Sequence, residues 1–277
     1  MVEILKSYYG EHKSVFEENF RQVLDSFDTE AIHKMRTSTK RLRALFQLLE
    51  FLSENKFRAK KQLSRVRQFF KHGGKIREIQ IEEMLVLQYE QSLNKVFSEY
   101  LVYLKWRKHK EIARFLKSRP DLNNSDTILD DQKVNEAISN LPAMPKLKIR
   151  TSSFIDDRVK RIQKNIKAPA SNHRIHQNRT YLKQIYYLYE ILSDLSGRKM
   201  ILCSESERIR EIEQYLGKWH DLVNSPVFLN AFFKTRGGIS AGKYKILKKS
   251  IADDRKAMRN HILDQFYPEL SGQGNPI

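Results

Sequence analysis

The sequence predicts an all-α protein made of two similar helical halves related by an internal repeat. Apolar residues recur at steps of three and four positions, which is the spacing of a helix that buries one face. No stretch of useful length alternates apolar and polar residues as a half-buried strand does. The chain also resembles itself at a shift of 143 residues. This self-similarity indicates two copies of one unit of about four helices.

The first half is predicted to contain a long amphipathic helix followed by two further helical runs. Asp28 is suited to cap the first of these, because its carboxylate can accept from exposed N–H groups. A second helix is expected over 56–71, where Gly73-Gly74 would end it. A third run over 76–118 should end at Arg119-Pro120, since proline disfavours helix in the residue before it. The apolar stripe of the first helix comprises Ile32, Met35, Leu42, Leu45, Leu49 and Leu52.

A polar connector with two prolines separates the halves. It covers residues 120–148 and is expected to hold one short helix near 130–140. We therefore divide the chain into a first repeat, residues 1–145, and a second repeat, residues 146–277, which together form one domain. Further helices are expected over 151–167, 172–195, 203–216, 220–234 and 241–265, with a break at Gly237-Gly238.

The composition favours a folded, basic protein with an anionic partner. Hydrophobic residues make up 40% of the chain, which is too many for a disordered one. Lys and Arg number 51 against 33 Asp and Glu, a net charge of +18. Such an excess attracts nucleic acid, polyphosphate, anionic membranes or acidic proteins, and composition leaves these open. One cysteine excludes a disulfide framework and, with no signal-like or membrane-spanning run, predicts a cytoplasmic location.

The repeat aligns uncommon residue types as well as the leucine stripe, and it needs no gap. Chance aligns a few lysines in a lysine-rich chain, but it does not readily align histidine, arginine, glycine and leucine at one shift. The shift pairs His33 with His176, Arg36 with Arg179, Thr37 with Thr180, Lys40 with Lys183, Leu49 with Leu192, Gly74 with Gly217, Lys75 with Lys218 and Glu78 with Asp221.

The paired positions place several cations on one face of a helix, beside the apolar stripe. Residues 31–49 contain no acid. Like charges one turn apart repel by a few tenths of a kcal/mol, so this arrangement has a cost that indicates a bound anion. In the second half, Tyr186 replaces the fourth basic residue. The faces comprise His33, Arg36, Lys40 and Arg43 in the first half, and His176, Arg179 and Lys183 in the second.

A glycine segment follows each basic face and is predicted to end one helix and begin another. Exposed N–H groups at a helix start attract anions. Ordinary capping by Glu78 or Asp221 is the other interpretation, and the two are compatible. The basic residues that would add charge at these starts are Lys75, Arg77, Lys218 and His220.

Enzyme signatures are absent from the sequence, and we expect no catalytic residue, metal site or cofactor. There is no zinc-protease His-Glu-x-x-His, no phosphate-binding P-loop and no Gly-x-Ser-x-Gly elbow. His173 and His176 lie three residues apart, but a basic surrounding opposes a divalent cation. A Mg²⁺-dependent hydrolase of phosphate chains would need clustered carboxylates. The only local candidates are Glu78, Glu82, Glu83 and Asp221.

The repeated motifs resemble the CHAD domain family, the conserved histidine α-helical domain. The similarity rests on Ile32-His33-x-x-Arg36-x-x-x-Lys40-Arg41-Leu42-Arg43 with Gly74-x-x-Arg77-Glu78 downstream. It extends from about residue 5 to about residue 268. The resemblance implies two four-helix bundles, a basic channel for inorganic polyphosphate, and association with polyphosphate granules. In the second copy the matching positions are His176, Arg179, Lys183, Tyr187 and Glu190, then Leu216-Gly217-x-x-His220-Asp221.

Together these observations predict a non-catalytic protein that binds inorganic polyphosphate in a basic groove between helical bundles. Binding of RNA or another nucleic acid is the first alternative, because the charge alone permits it. A Mg²⁺-dependent phosphate-chain hydrolase is the second. The predicted polyphosphate-binding residues are His33, Arg36, Lys40, Arg43, Lys75, Arg77, His176, Arg179, Lys183, Lys218 and His220.

Overall fold

The computed structural model describes residues 2–117, 128–196, 199–235 and 241–271, and it confirms the predicted all-α class. No strand occurs within these ranges. The first helices are α1 (Val2–Ser26), α2 (Thr29–Leu52), α3 (Ala59–Gln62), α4 (Val66–Leu93), α5 (Ser98–Lys117) and α6 (Asp131–Ser139). They are followed by α7 (Met144–Lys167), α8 (Asn172–Ser196), α9 (Lys199–Thr235), α10 (Ala241–His261), a π-helical turn (Ile262–Phe266) and α11 (Tyr267–Leu270).

The helix with the clearest sequence signal, α2, forms as predicted. The Asp28 carboxylate accepts a hydrogen bond of 2.8 Å from the Ala31 N–H, so the expected cap is present. Helix α1 was not predicted, although its buried residues lie at helical spacing. These are Leu5, Tyr8, Tyr9, His12, Phe16, Asn19, Phe20 and Val23.

Two glycine positions correct the predicted boundaries. Helix α4 passes through Gly73 and Gly74, and α9 passes through Gly217. The predicted stop at Gly73-Gly74 is therefore wrong, and 203–216 and 220–234 form one helix. The glycines serve close packing instead, since a Cβ on Gly73 would lie 3.0 Å from the Met35 Cε on α2.

Other boundaries also differ from the predictions. The run over 76–118 is divided after Leu93, where Asn94 takes a left-handed conformation with φ 48°. Only residues 59–62 and those from 66 onward are helical in the predicted 56–71 segment. Helix α7 begins at Met144, earlier than 151. The breaks expected at Arg119-Pro120 and Gly237-Gly238 lie outside the described residues.

The helices pack around two hydrophobic clusters, and each cluster draws on both predicted repeats. In the larger cluster, α1 and α2 pack with α7, α8 and parts of α4 and α9. In the second, the α4–α5 hairpin packs against the α9–α10 hairpin. Helices α4 and α9 therefore run through both clusters.

Because each cluster contains residues of both repeats, the clusters do not mark a boundary between them. The division of the sequence into repeats 1–145 and 146–277 stays a prediction.

Contacts between the halves recur when the halves are exchanged. Arg41 donates to Glu190 through Nη2 at 2.7 Å and Nε at 2.8 Å. A shift of 143 turns this pair into Gln184 and Gln47, whose side chains are bonded at 3.2 Å. The two contacts between α2 and α8 therefore occupy positions that are related by the shift of 143. None of the helices in the described ranges is both long enough and apolar enough to cross a membrane.

Candidate functional site: a basic pocket between α2, α4, α8 and α9

The packing of α2 against α8 brings their basic faces to one pocket of about 470 Å³. Helices α4 and α9 supply the rest of its lining. Nine of the eleven predicted residues line this pocket, although they come from four helices that are distant in sequence. The nine are His33, Arg36, Lys40, Arg43, Arg77, His176, Arg179, Lys183 and His220.

The other two predicted residues, Lys75 and Lys218, do not line the pocket. The Lys75 Nζ instead lies 3.9 Å from the Glu111 Oε2 on α5, and Lys218 is exposed. Both follow a glycine that was expected to precede a helix start. Because the helices are continuous there, the next residue points about 100° away from the glycine, and no free N–H groups are present.

The first wall of the pocket consists of α2 and the adjoining part of α4. Here the Phe70 ring makes cation–π contacts with two arginines, since the Cζ atoms of Arg36 and Arg43 lie 4.3 and 4.6 Å from its centroid. The Arg36 Nη1 also donates to the Phe70 carbonyl at 2.6 Å. Among the described residues, no carboxylate lies within ion-pair distance of Arg36, Lys40 or Arg43.

In each half, a glycine lies against the guanidinium group of the arginine on the neighbouring helix, Gly74 against Arg36 and Gly217 against Arg179. A Cβ at Gly74 would lie 2.7 Å from the Arg36 Nη1. At the equivalent Gly217 it would lie 3.1 Å from the Arg179 Nη2. The glycines on α4 and α9 therefore leave room for guanidinium groups that cross from α2 and α8. This contact explains why both glycines lie inside helices, where glycine is otherwise unfavourable.

The second wall, formed by α8 and α9, differs from the first by one carboxylate. The Lys183 Nζ donates to the Glu213 Oε1 at 2.7 Å, and the Arg179 Nε lies 3.1 Å from the same oxygen. Glu213 is buried. A shift of 143 places it on Phe70. The repeat alignment thus contained a signal for this difference, but neither residue was among the predicted site residues.

Lys40 lies where the two walls face each other. Burial, followed by the neighbouring charges of Lys183, Arg36 and Arg179, lowers the pKa of its ammonium group to about 6, although the charge of Glu213 acts in the opposite direction. Burial also lowers the pKa of Arg36 to about 10. The pocket therefore holds a positive potential, and on its first wall Glu78 of α4 acts on Arg36 without forming an ion pair with it.

Three histidines line the pocket as largely neutral donors. The rings of His176 and His220 have centroids 4.3 Å apart. Burial and the neighbouring His176 and Arg179 lower the pKa of His220 to about 4. Burial, followed by the charge of Arg77, also lowers the pKa of His33. Each imidazole can therefore offer one N–H to a ligand near neutral pH without adding a charge.

The carboxylates considered for a metal do not share one site. Glu82 accepts hydrogen bonds from Tyr100 and Ser225, and Glu83 pairs with Lys108. Only Glu78 and Asp221 line the pocket, where burial raises the pKa of Asp221 to about 6. In the part of the chain that the structure describes, no group of three His, Cys, Asp or Glu residues is arranged to hold a metal ion.

Comparisons with known proteins point to one family. A family model described as the CHAD domain matches residues 8–230. The fold is similar to the crystal structure of the CHAD domain from the plant Ricinus communis, with a TM-score of 0.74. That similarity covers 98% of this chain and 92% of the other at 15% sequence identity, so it concerns the fold. A comparison with curated proteins finds none that matches.

Proposed function

The chain belongs to the CHAD domain family, and from this premise we propose that it is a non-catalytic module that binds inorganic polyphosphate in the basic pocket. The observation that carries the proposal is the first wall. There, Arg36, Lys40 and Arg43 of α2 line the pocket without an ion-paired carboxylate among the described residues, and the fold adds Arg179 and Lys183 of α8 to the same pocket. Such an arrangement is costly without an anion and favourable with one.

Polyphosphate suits the chemistry of this pocket. It is a linear chain with a regularly repeated negative charge and no bases, so charge and spacing are sufficient for its recognition. Guanidinium and ammonium groups form charge-assisted hydrogen bonds to phosphate oxygens. The neutral histidines and the hydroxyl of Thr37 add donors along the same surface, whereas the Thr180 hydroxyl already donates to the His176 carbonyl.

The aromatic residues of the pocket favour polyphosphate over RNA. Binding of single-stranded RNA relies on bases that stack on accessible aromatic faces. The Phe70 ring is already engaged by Arg36 and Arg43, and only 3% of Tyr187 is exposed. The pocket therefore offers phosphate donors without a free stacking platform.

A competition experiment tests the proposal. Long-chain polyphosphate, single-stranded RNA and duplex DNA compete for the full chain at matched phosphate concentration, at several salt concentrations. All three should bind more weakly as salt rises, because each releases counterions. We expect polyphosphate to bind most tightly near physiological salt. RNA or DNA binding as tightly as polyphosphate there would overturn the proposal.

Two further parts of the proposal have their own readouts. We propose that the module does not hydrolyse its ligand, and phosphate release that depends on Mg²⁺ would contradict this. We also propose a cytoplasmic location at polyphosphate granules. A fluorescent fusion should coincide with granules that are stained independently, and a diffuse signal in granule-containing cells would contradict the location.

A further inference from the structure

We propose that Glu213 is an internal counter-ion that competes with the phosphate chain for Arg179 and Lys183, so that the first wall provides most of the affinity and the second wall adjusts it. This inference rests on the proposed function. It concerns a residue on α9 that the predicted site did not include.

Glu213 is an ion-pair partner that Lys183 and Arg179 share. Its Oε1 lies 2.7 Å from the Lys183 Nζ and 3.1 Å from the Arg179 Nε. Its side chain is 11% exposed, whereas those of Lys183 and Arg179 are 23% and 25% exposed. The carboxylate thus lies behind the two cations, which retain accessible donors towards the pocket. A bound phosphate chain must therefore share these two cations with the Glu213 carboxylate, which is part of the protein and cannot dissociate from it.

Within the described part of the chain, no carboxylate forms an ion pair with a cation that α2 places on the first wall. The position equivalent to Glu213 is Phe70, which contacts Arg36 through its ring and its carbonyl oxygen. Both contacts orient the guanidinium group without neutralising it. An anion therefore meets cations without an ion-pair partner on the first wall, where Glu78 acts on Arg36 only at longer range, and ion-paired cations on the second. This asymmetry favours ligands of high charge density, which can still attract Arg179 and Lys183 in the presence of Glu213.

The decisive variant is Glu213→Gln, with affinity for long-chain polyphosphate measured at several salt concentrations. We expect affinity to rise about ten-fold, because one negative charge next to the ligand is removed. The salt dependence should also become steeper by up to about one ion, since Arg179 and Lys183 would then hold mobile counterions that binding releases. Glu213→Asp keeps the charge and should restore the shallower dependence.

A matched control separates this effect from net charge. Glu269→Gln removes the same charge from a paired carboxylate outside the pocket, which Arg208 contacts at 2.7 Å. We expect it to change affinity less than about two-fold, as is usual for charges away from an interface. If both variants raise affinity equally, only net charge matters and the inference fails.

The reciprocal change tests the same idea if Glu213→Gln does not fold, as judged by thermal unfolding. Phe70→Glu places a carboxylate on the first wall, and Phe70→Gln controls for loss of the ring. We expect Phe70→Glu to bind polyphosphate about ten-fold more weakly than Phe70→Gln. Equal affinities, or an unchanged affinity in folded Glu213→Gln, would overturn the inference. A wild-type chain that does not bind polyphosphate would instead overturn the proposed function.

Discussion

Arg36 on α2 and Arg179 on α8 occupy equivalent positions, each with a glycine from the next long helix against its guanidinium group. Their electrostatic surroundings nevertheless differ. Arg36 contacts an aromatic ring and a carbonyl oxygen, while Arg179 lies against a buried carboxylate. The two halves therefore share the same scaffold for placing a cation but differ in how much of its charge remains available to a ligand.

This comparison shows that two walls with the same sequence motif can differ in the charge that they offer to a ligand. The repeated His-x-x-Arg-x-x-x-Lys pattern sets which side chains face the pocket. Residues on α4 and α9, which lie outside that pattern, set the electrostatic environment of those side chains. The first wall also keeps a further cation, Arg43, where the second has Tyr186. Under the proposed function, both differences predict that the first wall contributes the larger share of anion binding.

The largest expected effect comes from removing first-wall charge. Arg36→Gln together with Arg43→Gln should weaken polyphosphate binding at least about 100-fold, because hydrogen bonds to charged groups contribute about 1.5–3 kcal/mol each. The control is Arg21→Gln with Arg58→Gln, which removes two exposed charges outside the pocket. Both can be measured by titration with labelled polyphosphate. Equal losses in the two double variants would make charge number, not the pocket, the determinant.

The glycine contacts offer a comparison at equivalent positions. In Gly74→Ala the new Cβ would overlap the Arg36 guanidinium and displace it, so affinity should fall about ten-fold. In Gly217→Ala the contact of 3.1 Å needs only a small shift, and we expect a loss of about two-fold. Alanine favours a helix interior by about 1 kcal/mol over glycine, which offsets strain in the folded state. A greater loss of affinity in Gly217→Ala than in Gly74→Ala would reverse our ranking of the two walls.

Affinity should also fall as pH rises above neutrality, because of Lys40. With its pKa lowered to about 6, Lys40 is largely uncharged in the free protein at pH 7. A bound polyanion favours the charged form and raises this pKa, so binding takes up a proton. Affinity then increases as pH falls from 8 to 7, by at most about ten-fold for one proton, and this dependence levels off below the free pKa.

The variant Lys40→Arg identifies the titrating group, because arginine stays charged across this range. We expect its affinity to change less than about two-fold between pH 8 and pH 7. Asp221, with its pKa raised to about 6, contributes in the same direction only at lower pH. A wild-type affinity that is flat between pH 8 and pH 7, or a slope that survives in Lys40→Arg, would contradict the assignment.

The sequence predicted the parts of this site that depend on local periodicity. The spacing of His33, Arg36 and Lys40 places them on one face of α2, and the shift of 143 transfers the same face to α8. It also named Arg77 and His220 through the two glycine segments, although it expected helix starts there and both residues lie inside the continuous helices α4 and α9. It also misassigned Gly74 and Gly217, because glycine ends helices more often than it makes room for a side chain from a neighbouring helix.

The unpredicted helix α1 shows a different kind of failure. Its buried residues, including Leu5, Phe16 and Val23, lie at helical spacing, so its signal was present in the sequence and was not used. Glu213 shows a third kind. Its role depends on distances to Lys183 and Arg179 that only the fold defines, although alignment of the repeats already places it opposite Phe70.

The smallest expected effect concerns the ion pair between Arg41 on α2 and Glu190 on α8, which lies outside the pocket. Arg41→Gln with Glu190→Gln converts this bidentate ion pair into a copy of the Gln47–Gln184 pair and preserves net charge. Both side chains are 25% exposed, so solvent screens the pair. We expect the free energy of unfolding in urea to fall by about 1 kcal/mol. Because salt screens partly exposed pairs, this loss should shrink at 1 M NaCl, where the Debye length is about 3 Å.

Polyphosphate affinity should stay within about two-fold of wild type, because charges outside an interface contribute little. A loss of stability that salt does not reduce would mean that Arg41 acts through packing rather than charge. A large loss of affinity would extend the functional surface beyond the two walls.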